Sequence, residues 1–331
     1  MTTAAIFGLL GTELSQAERD FFRSADPWGF ILFARNVESP DQLRRLTGDL
    51  RDAVGRDAIV TVDQEGGRVQ RMRAPHWAEW LPPLDDALRG PEAMRLRYRL
   101  IGQELRAVGI DSDCAPTLDI ANDATHPFLQ NRCLGRTVED VAARGRAVAD
   151  GLLEAGVLPI MKHMPGHGRA VTDSHHETPV VATPHEELSR TDFAAFRALN
   201  DLPMGMSGHI RFEDIDPMPA TASARMIGVI RREIGFDGLL MTDDISMNGL
   251  SGTIGERSAA SIAAGIDLIL HCHGHMHEME DVVANAGDMT PDAIRRADHA
   301  LGFRCPPDTV PAADLLAEYR ALGGQVEWPA G

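Results

Sequence analysis

Residues 138–162 read VEDVAARGRAVADGLLEAGVLPIMK and join a helical pattern directly to a short apolar run. Thr137 precedes this segment as a capping residue, and the apolar positions of Val138–Ala155 recur at helical spacing. Leu158–Lys162 is too short for a helix and is typical of a buried strand. The segment therefore predicts a helix followed by a strand, which is the repeating unit of a parallel sheet.

The same alternation continues along the chain and predicts the fold. Further candidate strands lie at Ala4–Leu9, Gly29–Ala34, Ala58–Val62, Ile110–Ala115, Met204–Gly208, Gly238–Thr242 and Asp267–Leu270. Further candidate helices lie at Pro40–Val54, Pro91–Ala107, Glu186–Ala198, Ala224–Ile234 and Ile254–Ala264, with Ser39 and Ser223 as caps. Eight strands with intervening helices predict an α/β protein, a (β/α)8 barrel of the TIM type with an irregular strand or two. A doubly wound open sheet is the alternative, but Gly8 and Gly11 do not complete the Gly-rich phosphate turn typical of that fold.

The length of 331 residues is sufficient for one barrel, so we expect residues 1–303 to form a single catalytic domain. Residues 304–331 begin with a Pro-rich stretch, CPPDTVPAAD, and contain a short helical pattern at Leu315–Leu322. We expect this C-terminal extension to pack on the barrel exterior.

Composition narrows the classes of partner. The formal charge of −17 argues against a partner rich in phosphate, because nucleic acids are bound by clustered Lys and Arg. The four cysteines show no CxxC spacing, and the sequence has neither the basic start of a signal peptide nor an apolar run long enough to cross a bilayer. We expect a cytoplasmic monomer with a small-molecule substrate, no nucleic acid and no membrane.

Polar residues follow almost every predicted strand, at the end where barrel enzymes place their catalytic groups. They are Asp63, Asp119, Lys162, His163, Ser207, His209, Asp243, Asp244 and His271. An ordinary solvent-facing strand end explains any one of them, but their accumulation at one end of the barrel predicts an active site.

The segment 162–179, KHMPGHGRAVTDSHHETP, departs furthest from what folding alone requires. Lys162 and His163 leave a buried strand, and the loop after them is shaped by Pro and Gly and carries His167. Asp173 lies two residues before His175, and a carboxylate so close to an imidazole can fix its tautomer and raise its basicity. His175 is therefore a candidate proton shuttle.

Two further motifs carry carboxylates. Asp243 and Asp244 end the apolar run GLLMT, and a glycosidase that retains configuration needs such a carboxylate as nucleophile. Strand alternation cannot choose between the two, because barrel strands are buried on both faces. In DQEGGRVQR, Asp63 can accept from sugar hydroxyls and Arg71 offers a planar fork of donors.

The tract HCHGHMH, residues 271–277, raises the alternative of a metal-dependent barrel hydrolase. Such an enzyme would be expected to place an H-x-H motif on its first strand, and residues 4–12 contain no His. We therefore expect no catalytic metal and assign the tract a structural or peripheral role.

Three motifs together resemble the bacterial β-N-acetylglucosaminidases of glycoside hydrolase family 3, the single-domain cytoplasmic type that acts in peptidoglycan recycling. They are DQEGGRVQR, KHMPGHG with DSHHETP, and FDGLLMTDDISM, and they occur in order between about Gly29 and Gly274. The resemblance implies removal of non-reducing terminal β-1,4-linked N-acetylglucosamine from muropeptides of the GlcNAc-anhydroMurNAc type. A β-glucosidase of the same family is the nearest alternative, but such enzymes take their acid/base from a later domain.

The resemblance also implies residue roles. Asp243 matches the nucleophile that forms the covalent glycosyl-enzyme, and His175 matches the acid/base with Asp173 as its dyad partner. The residues that match the sugar-binding set are Asp63, Arg71, Arg132, Lys162 and His163, and we add His209 from its place after the sixth strand. No cofactor or metal is implied.

The sequence departs from the family pattern around the catalytic loop. Arg169 stands where Asp is usual after GHG, Met164 replaces Phe, and Cys133-Leu134 replace Ser-Phe. These changes bear on how the loop is anchored and on the leaving-group side of the site. Because a histidine acid/base becomes neutral when it deprotonates, phosphate as well as water is a candidate acceptor.

Overall fold

The computed structural model describes residues 1–172 and 178–329 and contains a closed barrel of eight parallel strands. The strands are β1 (Thr3–Phe7), β2 (Pro27–Leu32), β3 (Ile59–Val62), β4 (Ser112–Asp113), β5 (Leu158–Met164), β6 (Met204–Ser207), β7 (Leu239–Asp244) and β8 (Leu268–His271). Each strand pairs with the next in the chain, and β8 closes the barrel on β1 with Phe7 opposite His271. The predicted TIM-type barrel is thus confirmed.

Helices lie between the barrel strands and after them. They are α1 (Gln16–Ala25), α2 (Pro40–Val54), α3 (Pro83–Ala87), α4 (Pro91–Arg106), α5 (Pro127–Gln130), α6 (Val138–Glu154), α7 (His185–Arg190), α8 (Asp192–Arg197), α9 (Ala224–Gly228), α10 (Ile254–Ala264), α11 (Met276–Ala286), α12 (Pro291–Leu301) and α13 (Ala312–Ala321). Ser39, Thr137 and Ser223 cap α2, α6 and α9 by accepting from the backbone N–H three residues on, as the sequence predicts.

Three elements differ from their predicted form for local reasons. Strand β4 has only two residues, because the Ile110 N–H bonds back to Leu105 in α4 and the Ala115 N–H closes a turn on Asp113. The helix predicted at Glu186–Ala198 is divided at Thr191, whose φ of −118° and ψ of −93° lie outside the helical region. The second half of the helix predicted at Ala224–Ile234 is a π-helical turn, Val229–Ile234.

Alternate residues of the strands form one apolar layer. Met204 and Met206 of β6 belong to the same buried cluster as Leu239 and Met241 of β7 and Leu268 of β8. This period of two is expected where one face of each strand points into a barrel. The layer continues to the C-terminal ends of the strands and forms the floor of the cavity described below.

Residues 304–329 lie against the α4 side of the barrel. The α13 residues Leu315 and Tyr319 are buried, and the Tyr319 hydroxyl donates to Asp86. Val326–Glu327 adds a short antiparallel strand to Glu79–Trp80. Within residues 1–172 and 178–329, no helix combines the length and the apolar character needed to cross a membrane.

Candidate active site

The C-terminal ends of the barrel strands surround a cavity of about 610 Å³. Its polar lining within the described residues is Arg35, Asp63, Arg68, Arg71, Arg132, Lys162, His163, His167, Asp243, Asp244 and His273. Apolar contacts come from Ile31, Phe33, Val69, Phe128, Met206, Met247, Leu270 and Cys272. The strand ends that the sequence marked therefore meet in one concave site.

Asp63 lies between two cations at the end of β3. Lys162 Nζ donates to one Asp63 oxygen at 2.8 Å, and the Arg71 guanidinium donates to the other at 2.9 Å. Burial raises the pKa of Asp63, but Lys162 and Arg71 outweigh this effect and hold the pKa well below its ordinary range. Asp63 is thus a fixed carboxylate, and Lys162 and Arg71 present charged donors beside it.

Glu65 joins the same network, although the sequence does not predict it as a site residue. Its carboxylate accepts from Arg132 Nε at 2.9 Å and from Arg132 Nη2 at 2.7 Å, and it lies 2.6 Å from Lys162 Nζ. Burial raises the pKa of Glu65, but the two cations lower it to about 2. The signal available in DQEGGRVQR was position, because Glu65 follows Asp63 by two residues and so shares its side of the chain.

His163 is held by Asp119, a polar strand-end residue for which the sequence predicts no specific role in the site. His163 Nδ1 lies 2.7 Å from one Asp119 oxygen, and the other oxygen accepts from the His167 backbone N–H at 2.6 Å. Burial raises the pKa of Asp119, but His163 beside it lowers the pKa below its ordinary value. Asp119 therefore orients the imidazole and anchors the start of the PGHG loop.

Close packing explains the glycines of that loop. Gly166 has a φ of 140°, which L side chains rarely adopt. A Cβ on Gly168 would lie 2.1 Å from the Ile120 carbonyl oxygen. The Gly168 carbonyl in turn accepts from Thr125 Oγ1 and Asn122 Nδ2. The loop is therefore packed against the segment that follows β4.

Both carboxylates at the end of β7 line the cavity, but their partners differ. Asp244 Oδ1 accepts from the Ser246 and Cys272 backbone N–H groups at 3.1 and 3.2 Å. Asp243 Oδ1 accepts from the Asp244 N–H at 2.8 Å. Burial raises the pKa of Asp243, but His163 and His209, together with the Asp244 N–H, lower it below its ordinary value. Asp244 thus ties β7 to β8, and Asp243 is an ionised group directed at the cavity.

His209 lies behind this pair and is not part of the cavity lining. It is fully buried, with Nδ1 2.9 Å from Thr221 Oγ1 and Nε2 3.0 Å from the Asp244 carbonyl oxygen. Burial lowers the pKa of the His209 imidazole below its ordinary value. His209 therefore contacts the site only indirectly, through the Asp244 carbonyl group at the end of β7.

The predicted proton shuttle His175 and its partner Asp173 lie outside the described residues. Arg169, four residues before Asp173, donates from Nε to Asp192 at 2.7 Å and lies 3.0 Å from Glu187. Arg169 therefore attaches the end of the PGHG loop to α7 and α8. Of the other departures from the family pattern, Met164 packs against Gly205 and Cys133 is buried beside Leu129.

Residues 9–299 match the N-terminal domain of glycosyl hydrolase family 3. The chain belongs to glycosyl hydrolase family 3. The resemblance seen in the three motifs is thereby confirmed, and the protein is a glycosidase.

Relatives in this family align over most of their length. The family 3 chain is 33% identical to a β-hexosaminidase of Bordetella avium over 90% of its own length and 88% of that relative. It is 37% identical to a β-hexosaminidase of Methylococcus capsulatus over 81% of its own length and 82% of the relative.

Solved structures of the family share the architecture. Native NagZ from Neisseria gonorrhoeae has a TM-score of 0.82 at 27% identity, covering 97% of this family 3 chain and 96% of that one. A family 3 β-N-acetylglucosaminidase from Paenibacillus has a TM-score of 0.83 at 29% identity. The match covers 99% of this chain but only 63% of the longer Paenibacillus chain.

Proposed function

We propose that this family 3 glycosidase is a retaining β-N-acetylhexosaminidase that removes terminal β-linked N-acetylglucosamine from the non-reducing end of its substrate. The observation that carries the proposal is the ionised Asp243 carboxylate at the end of β7, in a cavity whose other walls hold Lys162, Arg71 and Arg132. A nucleophile on one side and fixed sugar-binding donors on the other are what double displacement requires. The β-hexosaminidase relatives support the choice of sugar.

In the first step, an Asp243 oxygen attacks the anomeric carbon while the bond from that carbon to the leaving oxygen breaks. Protonated His175 gives its proton to the departing oxygen, so the aglycone leaves as an alcohol. The low pKa of Asp243 keeps the nucleophile ionised at neutral pH. The product of this step is a glycosyl ester on Asp243, and His175 is now neutral.

In the second step, His175 takes a proton from a water molecule as the water oxygen bonds to the anomeric carbon. The ester bond to Asp243 breaks, and the carboxylate and the protonated imidazole are restored. Two inversions give net retention. Asp173 supports both steps as the partner that orients His175.

The other residues bind the sugar. Asp63 accepts from paired hydroxyls, Lys162 and Arg71 donate at the same face, and His163 donates or accepts there according to its tautomer. Arg132, held in a bidentate pair by Glu65, supplies a planar donor for an acyl oxygen. His209 keeps Asp244, and through it the end of β7, in place.

We further propose a muropeptide of the GlcNAc-anhydroMurNAc type as substrate and a cytoplasmic monomer as the working form. All four cysteines are free thiols, which suits a reducing compartment. The working unit is residues 1–303 as one catalytic domain, with 304–331 as an extension.

The decisive experiment compares an aryl β-N-acetylglucosaminide with the matching β-glucoside. The wild type is expected to prefer the first, and Asp243→Ala is expected to lose about 10⁴-fold or more in kcat because the nucleophile is removed. Mass spectrometry of a slowly hydrolysed fluorosugar complex is expected to find the sugar on the peptide carrying Asp243. Preferential cleavage of the glucoside would refute the substrate class.

Three controls sharpen the result. Asp244→Asn is expected still to form the covalent glycosyl-enzyme. Full activity in Asp243→Ala together with no activity in Asp244→Asn would show that Asp244 is the nucleophile. His175→Ala should have a much lower kcat/KM for a substrate with a poor leaving group than for a nitrophenyl glycoside. Only the poor leaving group needs a proton in order to depart. Adding phosphate, followed by analysis for the sugar 1-phosphate, separates phosphorolysis from hydrolysis.

A further inference from the structure

The loop after β8 brings three metal-ligating side chains together. Ligand atoms of His273, His275 and Glu278 lie within 4.8 Å of one another. Two imidazoles and one carboxylate are a donor set that zinc takes in proteins, with a fourth position left for water. We propose that these three residues bind one divalent transition-metal ion of the zinc class at the rim of the cavity.

The local backbone supports this convergence. His273 and His275 flank Gly274, whose φ of 77° turns the chain and where a Cβ would lie only 2.7 Å from backbone atoms of Leu9. His275 then occupies the position before α11 without capping it, and Glu278 lies in the first helical turn. An H-x-H-x-x-E segment that would be spread out along a strand is folded here so that its donors face one point.

Two of the three side chains are accessible to an ion from solvent, and the third is held in position by a neighbouring residue. His273 and His275 are exposed, so an ion can reach them and their rings can rotate to the roughly 3.4 Å ligand separation that zinc–nitrogen bonds of about 2.0–2.1 Å require. Glu278 is less exposed, and its Oε2 lies 2.7 Å from Nε2 of the fully buried His271. A carboxylate oriented by a neighbouring imidazole is the outer-shell arrangement that metal ligands typically have.

A second carboxylate lies on the far side of His273. Nδ1 of His273 is 4.0 Å from Glu278 Oε2, whereas Nε2 is 3.8 Å from Asp244 Oδ2. An ion bound at Nδ1 leaves the Nε2–H directed at Asp244, which is the carboxylate–histidine–metal order. His273 also lines the cavity, so the ion lies beside Asp244 at the rim and takes no part in the displacement at Asp243.

Calorimetric titration with zinc ions tests the site without using activity. The protein carries His175→Ala, because Asp173 and His175 are outside the described residues and also offer metal donors. One equivalent of zinc is expected to bind. His275→Ala and Glu278→Gln are each expected to weaken binding by about 100-fold or more, since even outer-shell partners contribute 10- to 100-fold to metal affinity.

The matched control is His277→Ala in the same tract, because His277 is exposed but does not belong to the cluster. It is expected to bind zinc like the parent, and His275→Cys is expected to keep the site because a thiolate also binds zinc. Absence of zinc binding by the parent would overturn the proposal. So would unchanged affinity in both His275→Ala and Glu278→Gln, or an equal loss in His277→Ala.

Discussion

Lys162 Nζ lies 2.6 Å from Glu65 Oε1 at the centre of the site, and both side chains are only 1% exposed. The same carboxylate holds Arg132 by two hydrogen bonds. One buried anion thus fixes two of the cations that the sequence assigns to the sugar. Asp63 also compensates the charge of Lys162. Among the described side chains, however, Glu65 is the only carboxylate that forms an ion pair with Arg132.

Glu65→Gln is expected to weaken both stability and substrate binding. It leaves two buried cations undercompensated, which costs about 3–5 kcal/mol when one member of a buried pair is removed. The free energy of unfolding in urea and KM for an aryl glycoside measure the two effects. Glu92→Gln is the matched control, because the Glu92 carboxylate is more than half exposed in its pair with Arg95 and its loss should change stability by less than about 1 kcal/mol. Equal stability loss in both variants would contradict the role given to Glu65.

Asp119→Asn is expected to lower kcat/KM by about 10- to 100-fold, as replacing outer-shell partners usually does. The amide can still accept from the His167 N–H, but it offers its NH₂ group to His163 Nδ1 and so favours the other tautomer. Steady-state kinetics and the imidazole nitrogen shifts of His163 measure the change. The control Asp123→Asn alters a fully exposed carboxylate and should leave kcat/KM unchanged. A wild-type kcat/KM in Asp119→Asn would show that catalysis does not depend on the His163–Asp119 pair.

The barrel could be predicted because its signals are local and repeated. Each predicted strand is a short apolar run, and each helix between them has its own period and often its own cap, as at Thr137. The exceptions are positions where the local backbone conformation departs from the pattern. Thr191 has a non-helical backbone within a continuous helical pattern, and the Ile110 N–H bonds back to Leu105 of the preceding helix.

The site could be predicted only where the residue type itself is informative at a strand end. Asp63, Lys162 and Asp243 met that condition and line one cavity. The roles of Glu65 and Asp119 could not be predicted because they depend on partners distant in the chain, 67 residues away for Arg132 and 44 for His163. His209 shows the converse, because a polar residue after a strand can point away from the cavity.

Arg169→Ala is expected to lower kcat about tenfold with KM little changed, because Arg169 positions a loop rather than touching the sugar. It removes the bonds to Asp192 and Glu187 that attach the PGHG loop to α7 and α8. Arg169→Lys should recover part of the rate, since one ion pair can re-form. The control Arg190→Ala breaks the exposed Arg190–Glu186 pair within α7 and should have no effect on kcat. A rise in KM at constant kcat would instead place Arg169 in substrate binding.

The pH dependence of stability should reveal Glu104, which accepts from the Ala78 N–H beside the barrel. Burial raises the pKa of Glu104 from 4.5 to about 7. The unfolded chain therefore ionises first, and stability is lost as pH rises from about 4.5 to 7. Glu104→Gln does not titrate, so its unfolding free energy minus that of the wild type should increase by about 3 kcal/mol across that window. Glu92→Gln should show the opposite sign and a smaller change, because the hydrogen bond from Arg95 lowers the pKa of the exposed Glu92. A Glu104→Gln difference that stays constant with pH would show that Glu104 is ionised in the folded protein.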